Sequence, residues 1–433
     1  MRVPRGTVPL VTAAVLAFGS AAASSNHAVA ADPIGHVTQY SEGISPNAGL
    51  ADLVAAPDGA VWFAEFFGNS LGRITPTGAV TQFGSAIAPD AGPRGMAIGA
   101  DGNVWFTLAT SGQIGRITPT GDVTTFSRGM SPGAQPQFMT LGPDGAVWYT
   151  DIGVNRIGRI TPTGKVTEFS RGIRSAPQFI TTGPDGNLWF TQPGADQISR
   201  ITPTGKVTPF PTGAGSAPWM IAVGPDGNLW FTQPTSDRVA RIATSGRVRQ
   251  MTQLPPGSEP LGITAGADGH LWITEPEANQ VARISTKGTV RQFSNGISAG
   301  AAPHGIAAGP GGDVWFGELS GNRIARMSTG AQALPNHPAV SAVTGTRRVV
   351  MVRVRVPDAG VLSVLADRRT PSGRTPVCWN AHVSDDGGTV RVTCRMERPV
   401  TASRLRVRTQ FTPTGGTPGV AIRSVTVTHP GRG

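Results

Sequence analysis

Several features common in membrane and disulfide-rich proteins are missing from this sequence. After residue 30 it has no apolar run that approaches the roughly 20 residues needed to cross a bilayer. No segment repeats its apolar residues with the period of an α-helix. Cysteine is nearly absent, with 2 residues in a chain of 433. Strands and turns are therefore the expected regular structure, and we predict an all-β protein without a membrane span.

The two cysteines, Cys378 and Cys394, lie in one short stretch near the C-terminal end of the sequence. In an oxidising compartment such a pair predicts a disulfide. The two cysteines could equally stay reduced. A two-cysteine metal site is disfavoured, because no other ligand residues lie nearby in the sequence.

The first 30 residues have the pattern of a secretory signal peptide. Arg2 and Arg5 precede an apolar run over residues 8–18, and small residues then lead to a cleavage pattern at 28–30. A membrane anchor is the alternative, but the run is too short to span a bilayer. We therefore assign residues 1–30 to a signal peptide and expect a secreted, extracellular protein.

The strongest signal in the chain is an internal repeat of about 42 residues, each copy centred on a tryptophan. Spacings of 41 to 43 residues separate Trp62, Trp105, Trp148, Trp189, Trp230, Trp272 and Trp315. Within each copy, Pro-Asp-Gly and Thr-Pro-Thr-Gly turns separate short segments in which apolar and polar residues alternate. Four strands per repeat and seven repeats predict a seven-bladed β-propeller over residues 31–335.

The way the ring closes can also be predicted. The last repeat stops at residues 326–330 and lacks its fourth strand, whereas an unmatched copy of that strand occurs at residues 36–40. An N-terminal strand would thus complete the last blade and leave no unpaired sheet edge.

Residues that every repeat requires are expected to be scaffold, and this applies to the tryptophans and to one arginine per repeat. Positions that vary between blades are the informative ones. The position at the start of the first strand varies through Ala51, Arg94, Gln137, Gln178, Trp219, Leu261 and His304. The position three residues after each tryptophan varies through Glu65, Leu108, Asp151, Gln192, Gln233, Glu275 and Glu318. Because the first two strands are antiparallel, we expect both sets at the mouth of the central channel, as a ligand pocket.

His304 is the candidate base or metal ligand at this mouth, with Glu318 in its own blade and Glu275 in the preceding one. A structural histidine held by hydrogen bonds is the equally weighted alternative. The expected substrate-binding residues of the same mouth are Arg94, Gln137, Gln178, Trp219, Glu259 and Leu261.

The repeat units, and the segment Pro303-His304-Gly305-Ile306, resemble those of the virginiamycin B (streptogramin B) lyases over roughly residues 35 to 330. WD40 propellers are excluded because their signature dipeptides are missing. The resemblance implies opening of the ester linkage of a cyclic depsipeptide without water, assisted by Mg²⁺. It also implies that His304 accepts a proton and that Glu318 assists the metal.

Two positions depart from the pattern that the resemblance implies. Leu261 replaces a histidine of the preceding blade, and Ala302 replaces a glutamate two residues before His304. A metal ligand and a substrate contact are thus missing. Glu259 or Glu275 would have to compensate.

Residues 340–433 carry 15 arginines, no lysine and 5 acidic residues, in a chain whose net charge is +11. Alternating segments at 349–356, 389–393 and 405–409 predict a small β-sandwich-like domain stapled by the disulfide. Its arginines indicate either a solvated sheet face or binding to an anionic cell-envelope polymer. Secretion and the shortage of aromatic residues argue against nucleic acid.

Two functions therefore compete. One is a metal-assisted carbon–oxygen lyase with a cyclic peptide or other small molecule at the channel mouth. The other is a non-catalytic extracellular propeller that binds such a ligand, with the basic domain docked on the envelope. A lactonase-like hydrolase is weaker, because its acidic calcium site cannot be assembled from these residues. We expect a monomer in each case.

Overall fold

The computed structural model describes residues 32–346, 348–370, 373–384, 387–396, 400 and 404–428. The predicted signal peptide, residues 1–30, lies outside these ranges. No helix among the described residues is long and apolar enough to span a membrane. The predicted all-β class is confirmed, since the only helices there are single 3₁₀ turns at Gly84–Ala86, Pro193–Ala195, Pro234–Ser236 and Pro310–Gly312.

Seven four-stranded antiparallel sheets form the propeller, and strands are numbered in chain order. The innermost strands are β2 (Leu50–Ala55), β6 (Pro93–Ile98), β10 (Pro136–Leu141), β14 (Ile180–Thr182), β18 (Ile221–Val223), β22 (Ile263–Ala265) and β26 (Pro303–Ala308). The second strands are β3 (Val61–Glu65), β7 (Val104–Leu108), β11 (Val147–Asp151), β15 (Leu188–Gln192), β19 (Leu229–Gln233), β23 (Leu271–Glu275) and β27 (Val314–Glu318).

The third strands are β4 (Ser70–Ile74), β8 (Gln113–Ile117), β12 (Arg156–Ile160), β16 (Gln197–Ile201), β20 (Arg238–Ile242), β24 (Gln280–Ile284) and β28 (Arg323–Met327). The outermost strands are β5 (Val80–Gln82), β9 (Val123–Phe126), β13 (Val166–Phe169), β17 (Val207–Pro211), β21 (Val248–Gln253), β25 (Val290–Phe293) and β1 (Val37–Tyr40).

The ring closes as the sequence predicts. Strand β1 pairs with β28 from Val37 opposite Met327 to Tyr40 opposite Ile324, so the seventh sheet has the order β1-β28-β27-β26. Tyr40 stacks on Trp315 with ring centroids 5.7 Å apart. Corresponding outer-strand aromatics stack on the tryptophan of other blades, as Phe126 does on Trp105.

The repeated tryptophans and arginines are scaffold. All seven tryptophans are at most 1 % exposed. In blade 3, for example, the indole of Trp148 donates to Asp144 in the turn between the first two strands, and Arg159 forms an ion pair with the same carboxylate. Equivalent arginine–aspartate pairs occur in the other blades. In blades 2 to 6 the tryptophan indole donates to this aspartate, which ties the core tryptophan, the turn and the third strand together.

The remaining strands form a separate β-domain with one curled seven-stranded sheet. Its strands are β29 (Ala339–Thr346), β30 (Val349–Val356), β31 (Gly360–Thr370), β32 (Gly373–Ser384), β33 (Gly388–Arg395), β34 (Arg404–Pro413) and β35 (Gly419–Thr428), in the order β32-β31-β34-β35-β29-β30-β33. The disulfide Cys378–Cys394 joins the two edge strands β32 and β33, which confirms the predicted pairing. The sheet is thus nearly closed around its own apolar core.

The C-terminal domain lies against the end of the channel where the Asp-Gly turns are. Arg408 packs beside Gly102 and interacts with Asp101, and Gly415 packs against Gly266. A cavity of about 350 Å³ remains between them. It is lined by the innermost strands of all seven blades and by residues 412–416. The mouth where the innermost strands begin is at the other end of the channel.

Candidate functional site

Strand register places the predicted site residues at one end of the channel. Pro303 pairs with Glu318, so the start of the innermost strand lies beside the end of the second strand. The register then shifts between Pro303 and Ile306, and the same bulge occurs in the first three blades. Bulges re-aim side chains. The variable position of these four blades, which includes Arg94 and His304, lies inside the bulge.

Threonines of the second strands fasten neighbouring blades together beneath the mouth. Thr274 accepts a hydrogen bond from the Gly262 amide and donates one of 2.6 Å to the His304 carbonyl in the next blade. Thr107 makes the same pair of bonds, from the Gly95 amide and to the Gln137 carbonyl. The threonine is replaced by Ala64 in blade 1 and by Gly317 in blade 7. Both interfaces of blade 1 therefore lack this clip.

Asp52 bridges one of these two interfaces. Its Oδ1 accepts a hydrogen bond from the Leu53 amide, and its Oδ2 accepts one of 2.9 Å from the Met96 amide in blade 2. The side chain keeps some contact with solvent, but protein atoms surround it densely. Burial raises the pKa of Asp52 from 3.8 to about 7, against the lowering effects of those two amides and of Arg94.

Arg94 and His304 lie on either side of Asp52 in the ring of blades. Burial lowers the pKa of Arg94, and the charge of Asp52 opposes this shift. Burial also lowers the pKa of His304, the positive charge of Arg94 lowers it further, and the Ala51 backbone opposes both. The Nδ1 atom of His304 is buried and has no hydrogen-bond partner among the described residues. Burial and the charge of Arg94 thus both favour the neutral form of His304, and its Nδ1 is a ring nitrogen that makes no hydrogen bond in the described part of the chain.

Aromatic rings line the other side of the mouth. The guanidinium carbon of Arg94 lies 5.7 Å from the ring centroid of Phe66 and 5.5 Å from that of Phe138. Phe138 stacks on Phe179 at 3.8 Å, and Phe179 meets the edge of Trp219 at 5.8 Å. We call Phe66, Phe138, Phe179 and Trp219 the aromatic arc. Phe138 and Phe179 are almost fully buried, so the partly exposed Phe66 and Trp219 supply its accessible apolar surface near Asp52, Arg94 and His304.

The other expected substrate-binding residues have mixed positions. Gln137 is buried, and its amide folds back onto the carbonyl groups of Gln135 and Pro136. Gln178 and Leu261 are half-buried and lie two residues before their innermost strands begin. Glu259 is exposed in a left-handed conformation, with its amide bonded to Asp237. Gln178, Leu261 and the exposed carboxylate of Glu259 thus remain candidates, while the Gln137 amide is held by local backbone carbonyl groups.

Glu318 and Glu275 do not point towards His304 as expected. The carboxylate of Glu318 accepts a hydrogen bond from Gln39 on the outermost strand of its blade. That of Glu275 accepts bonds from Gln280 and Gln292. Both are fully buried, and burial raises the pKa of each. These side chains point outward into the blade because they contact its third and fourth strands rather than its first.

Blade 1 repeats this arrangement, since Glu65 accepts a hydrogen bond of 2.7 Å from Gln82 on its outermost strand. A glutamate that accepts a hydrogen bond from a glutamine of the outermost strand therefore occurs in three blades, and we assign it to the scaffold. This explains why variation at the position three residues after tryptophan was a poor guide to the channel.

The described residues do not fit a Mg²⁺ site. Ala302, where the family pattern calls for a glutamate, offers no side-chain oxygen, and the carboxylate of Glu318 is held by Gln39. Within the described ranges no group of three or more His, Cys, Asp or Glu side chains converges to hold a metal ion. The metal roles of Glu318 and Glu275 stay predictions, and the observed contacts do not favour them.

Sequence reasoning missed Asp52, Phe66, Phe138 and Phe179. Three of them were within reach, because the position after the variable one changes from Asp52 through Gly95, Phe138, Phe179, Met220 and Gly262 to Gly305. That second position varies as strongly as the first. Phe66 lies in a loop outside the repeat pattern, and no periodic signal points to it.

Comparison with known proteins agrees with this architecture. The model of the virginiamycin B lyase family matches residues 17–170 and 86–338. A solved structure of streptogramin B lyase is similar, with 31 % identity, a TM-score of 0.64, and coverage of 68 % of this chain and 97 % of that one. A search of curated protein sequences gives no match.

Two structures of virginiamycin B lyase from Staphylococcus aureus are also similar, each with 32 % identity over 68 % of this chain. The selenomethionine-substituted protein has a TM-score of 0.61 and is covered over 98 % of its length. A catalytically inactive histidine-to-alanine variant with quinupristin has a TM-score of 0.62 and is covered over 99 %.

Proposed function

Because this chain belongs to the virginiamycin B lyase family, we propose that it is a carbon–oxygen lyase that opens the ester linkage of a streptogramin B-type cyclic depsipeptide. The proton acceptor is His304. The ligand lies across the channel mouth, with its apolar side chains against the aromatic arc and its ester beside the polar group. A similar protein has been solved with quinupristin, which is consistent with a ligand of this class.

The observation that carries the proposal is the state of His304. A general base must be unprotonated and must have a nitrogen free to accept the proton. Burial and the charge of Arg94 lower the pKa of His304, and its Nδ1 has no partner in the described part of the chain. The backbone of His304 is fixed by Thr274 of the neighbouring blade. A neutral, positioned imidazole at the mouth is what the reaction requires.

The reaction balances without water. His304 removes a proton from the carbon adjacent to the one that carries the ester oxygen. The electrons of the broken C–H bond form a C=C bond, the C–O bond breaks, and its electron pair leaves on the carboxylate. The products are an opened chain with a double bond and a free carboxylate. Correct placement of the base and stabilisation of the developing negative charge both lower the activation free energy of the elimination.

Incubation of the purified protein with quinupristin, followed by mass spectrometry, tests the proposal. Elimination gives an opened product of the same mass as the ring, whereas hydrolysis adds the mass of one water. We expect the unchanged mass, a new alkene absorbance, and a loss of about 10²–10⁴-fold in rate for H304A. H382A, which removes an exposed histidine of β32, is the control with full activity. An intact ring, or full activity of H304A, would remove the proposal.

A binding protein without turnover is the second candidate, and Leu261 and Ala302 favour it because both lack the polar group of the family pattern. It predicts that quinupristin binds at the mouth and dissociates unchanged. Calorimetry with W219A separates this outcome from the absence of any interaction. Binding that weakens in W219A, with the ring intact, would establish the second candidate over the lyase.

We further propose that the C-terminal domain binds an anionic polymer outside the cell. Strand β30 alternates buried valines with exposed Arg353 and Arg355. Arg353 lies directly opposite Arg391 of β33, which is also exposed. Like charges facing each other across strands are destabilising, so a polyanion between them would relieve the repulsion. A secreted protein would meet such polymers in the cell envelope.

Sedimentation with cell-wall teichoic acid at rising salt tests this basic face. R353E/R391E should lose most of the binding, and the wild-type affinity should fall steeply with salt. R171E/R174E, with the same charge change on exposed propeller positions, is the control. Equal losses in both variants would indicate a response to net charge alone and would contradict the proposal.

A further inference from the structure

Arg94 is a cation without an ion-pair partner at the candidate site. Among the described residues no carboxylate oxygen lies within the 4.0 Å that defines an ion pair with its guanidinium, and its side chain makes no hydrogen bond there. The scaffold arginines differ, because each pairs with an aspartate, as Arg73 does with Asp58 at 2.7 Å. Guanidinium has five donors, so Arg94 has unused capacity at the mouth.

Asp52 is the carboxylate whose charge acts on the pKa of Arg94, yet the two side chains form no ion pair. Its two oxygens accept the amides of Leu53 and Met96. The guanidinium carbon of Arg94 instead lies over the rings of Phe66 and Phe138, 5.7 and 5.5 Å from their centroids. Cation–π contacts of this kind restrain the guanidinium without using its N–H donors. An arginine with this arrangement is preorganised for a planar, bidentate anion.

We propose that Arg94 is the anion-binding residue of the mouth, and that it receives the carboxylate that forms as the ester C–O bond breaks. This role rests on the proposed lyase function. Negative charge grows on the ester oxygens during the reaction while His304 takes the proton. Arg94 and His304 flank Asp52 from the neighbouring blades, and they are close enough for the charge of Arg94 to act on the imidazole.

The proposal also accounts for the misfit of the metal site. A cation or a set of hydrogen-bond donors can stabilise the charge of the departing carboxylate, and position 302 carries an alanine where a metal ligand was expected. Arg94 supplies a fixed positive charge without any metal. Guanidinium pairs with a carboxylate through two parallel N–H···O bonds, which orients the leaving group as well as stabilising it.

Calorimetry with phenylacetate, and with its neutral isostere phenylacetamide, tests the anion site apart from turnover. Wild-type protein should bind phenylacetate more tightly than phenylacetamide. R94Q should lose tenfold or more in phenylacetate affinity and change little towards the amide. R94K should keep part of the preference, because lysine retains the charge but loses the bidentate geometry. R291Q removes another arginine stacked on a phenylalanine, at an exposed outer strand, and is the control.

Turnover of quinupristin provides the second measurement. R94Q should lower kcat by about 10²-fold with a smaller change in KM, since removal of one charge-stabilising donor has effects of this size. Excess EDTA should leave the wild-type rate unchanged. Equal phenylacetate affinity in R94Q and wild type, or a kcat of R94Q equal to that of R291Q, would overturn the role of Arg94.

The two measurements keep the two proposals separate. If the wild-type protein leaves quinupristin intact, the lyase function fails. The phenylacetate comparison then still decides whether Arg94 binds carboxylates. If H304A loses activity while R94Q keeps it, the lyase function stands and the role of Arg94 fails. Melting temperatures of R94Q and R94K establish that each variant is folded.

Discussion

Thr274 donates its hydroxyl proton to the backbone carbonyl of His304 in the next blade, across 2.6 Å. It also accepts the amide of Gly262 in its own blade. One side chain therefore joins blades 6 and 7 directly beneath the candidate base. The position of the imidazole depends on an interface between blades rather than on its own strand alone.

Thr274→Val tests this dependence, with Thr182→Val as a control, because Thr182 donates an inter-blade bond of 2.6 Å to the Leu141 carbonyl at the other end of the channel. Each variant loses at least one buried inter-blade hydrogen bond, so each should lose about 1–3 kcal/mol of stability. Only T274V frees the backbone of His304, and its kcat should fall about 10- to 100-fold. Thermal melts and quinupristin turnover check this expectation. Equal activity of the two variants would show that the clip has no role in positioning.

The second prediction concerns the titration of His304. Its pKa is lowered mainly by burial and secondly by the charge of Arg94, and Asp52 is the other titrating group of the mouth. The imidazole should therefore become protonated only at a pH below its ordinary pKa of 6.5, and kcat/KM should decline in that lower range. R94Q removes the positive charge that adds to the effect of burial, so the pKa of His304 should rise in that variant. NMR titration of the imidazole measures the shift, and a fall on R94Q substitution would contradict it.

The third prediction is a pH dependence of stability through Asp52. Its folded pKa of about 7 exceeds the ordinary value of 3.8, so the native state binds the proton more tightly than the unfolded state. The stability that this protonation contributes is present below pH 3.8 and is lost as pH rises towards 7. The full effect is on the order of 4 kcal/mol.

Asp52→Asn removes this titration. Denaturant unfolding at pH 5 and pH 8 should show that the loss of stability with rising pH is smaller in D52N than in the wild-type protein. Asp144→Asn, which alters a scaffold carboxylate paired with Arg159, is the control. An unchanged slope in D52N would mean that Asp52 is ionised at neutral pH like an ordinary aspartate.

The fourth prediction concerns the closing strand. Tyr40 stacks on Trp315 as Phe126 stacks on Trp105, so the two aromatics have equivalent places in blades 7 and 2. Y40A and F126A should each lower the free energy of unfolding by about 2 kcal/mol. Deletion of residues 35–41 should destabilise the whole propeller. A melting temperature that is unaffected by Y40A or by the deletion would show that the ring is stable without its first strand.

The propeller was predictable because its signal repeats. Seven tryptophans at even spacing, with alternating segments between Gly-containing turns, indicate the fold, the blade number and the closing strand. Each inference draws on local patterns that a propeller imposes on every blade. The disulfide between Cys378 and Cys394 was equally accessible, because the sequence offers no other pairing.

The site was harder to predict because it depends on side-chain direction. Glu318 and His304 are neighbours by strand register, yet their side chains diverge, since Glu318 turns outward to Gln39. Strand register determines which backbone positions are neighbours, but it does not determine the side-chain rotamers. Asp52 gains its importance from a missing threonine at Ala64, which is visible only once the inter-blade bonds of the other blades are known.

The pairing of Val37 with Met327 also affects how the protein folds during its synthesis. The two strands are almost 300 residues apart along the chain, so an early-made segment must wait until nearly the entire ring has been synthesised. Until then β1 has no partner strand in its own chain and is able to join a sheet edge of another molecule. We therefore expect the rate of ring closure, more than the stability of any single blade, to determine how much newly synthesised protein aggregates.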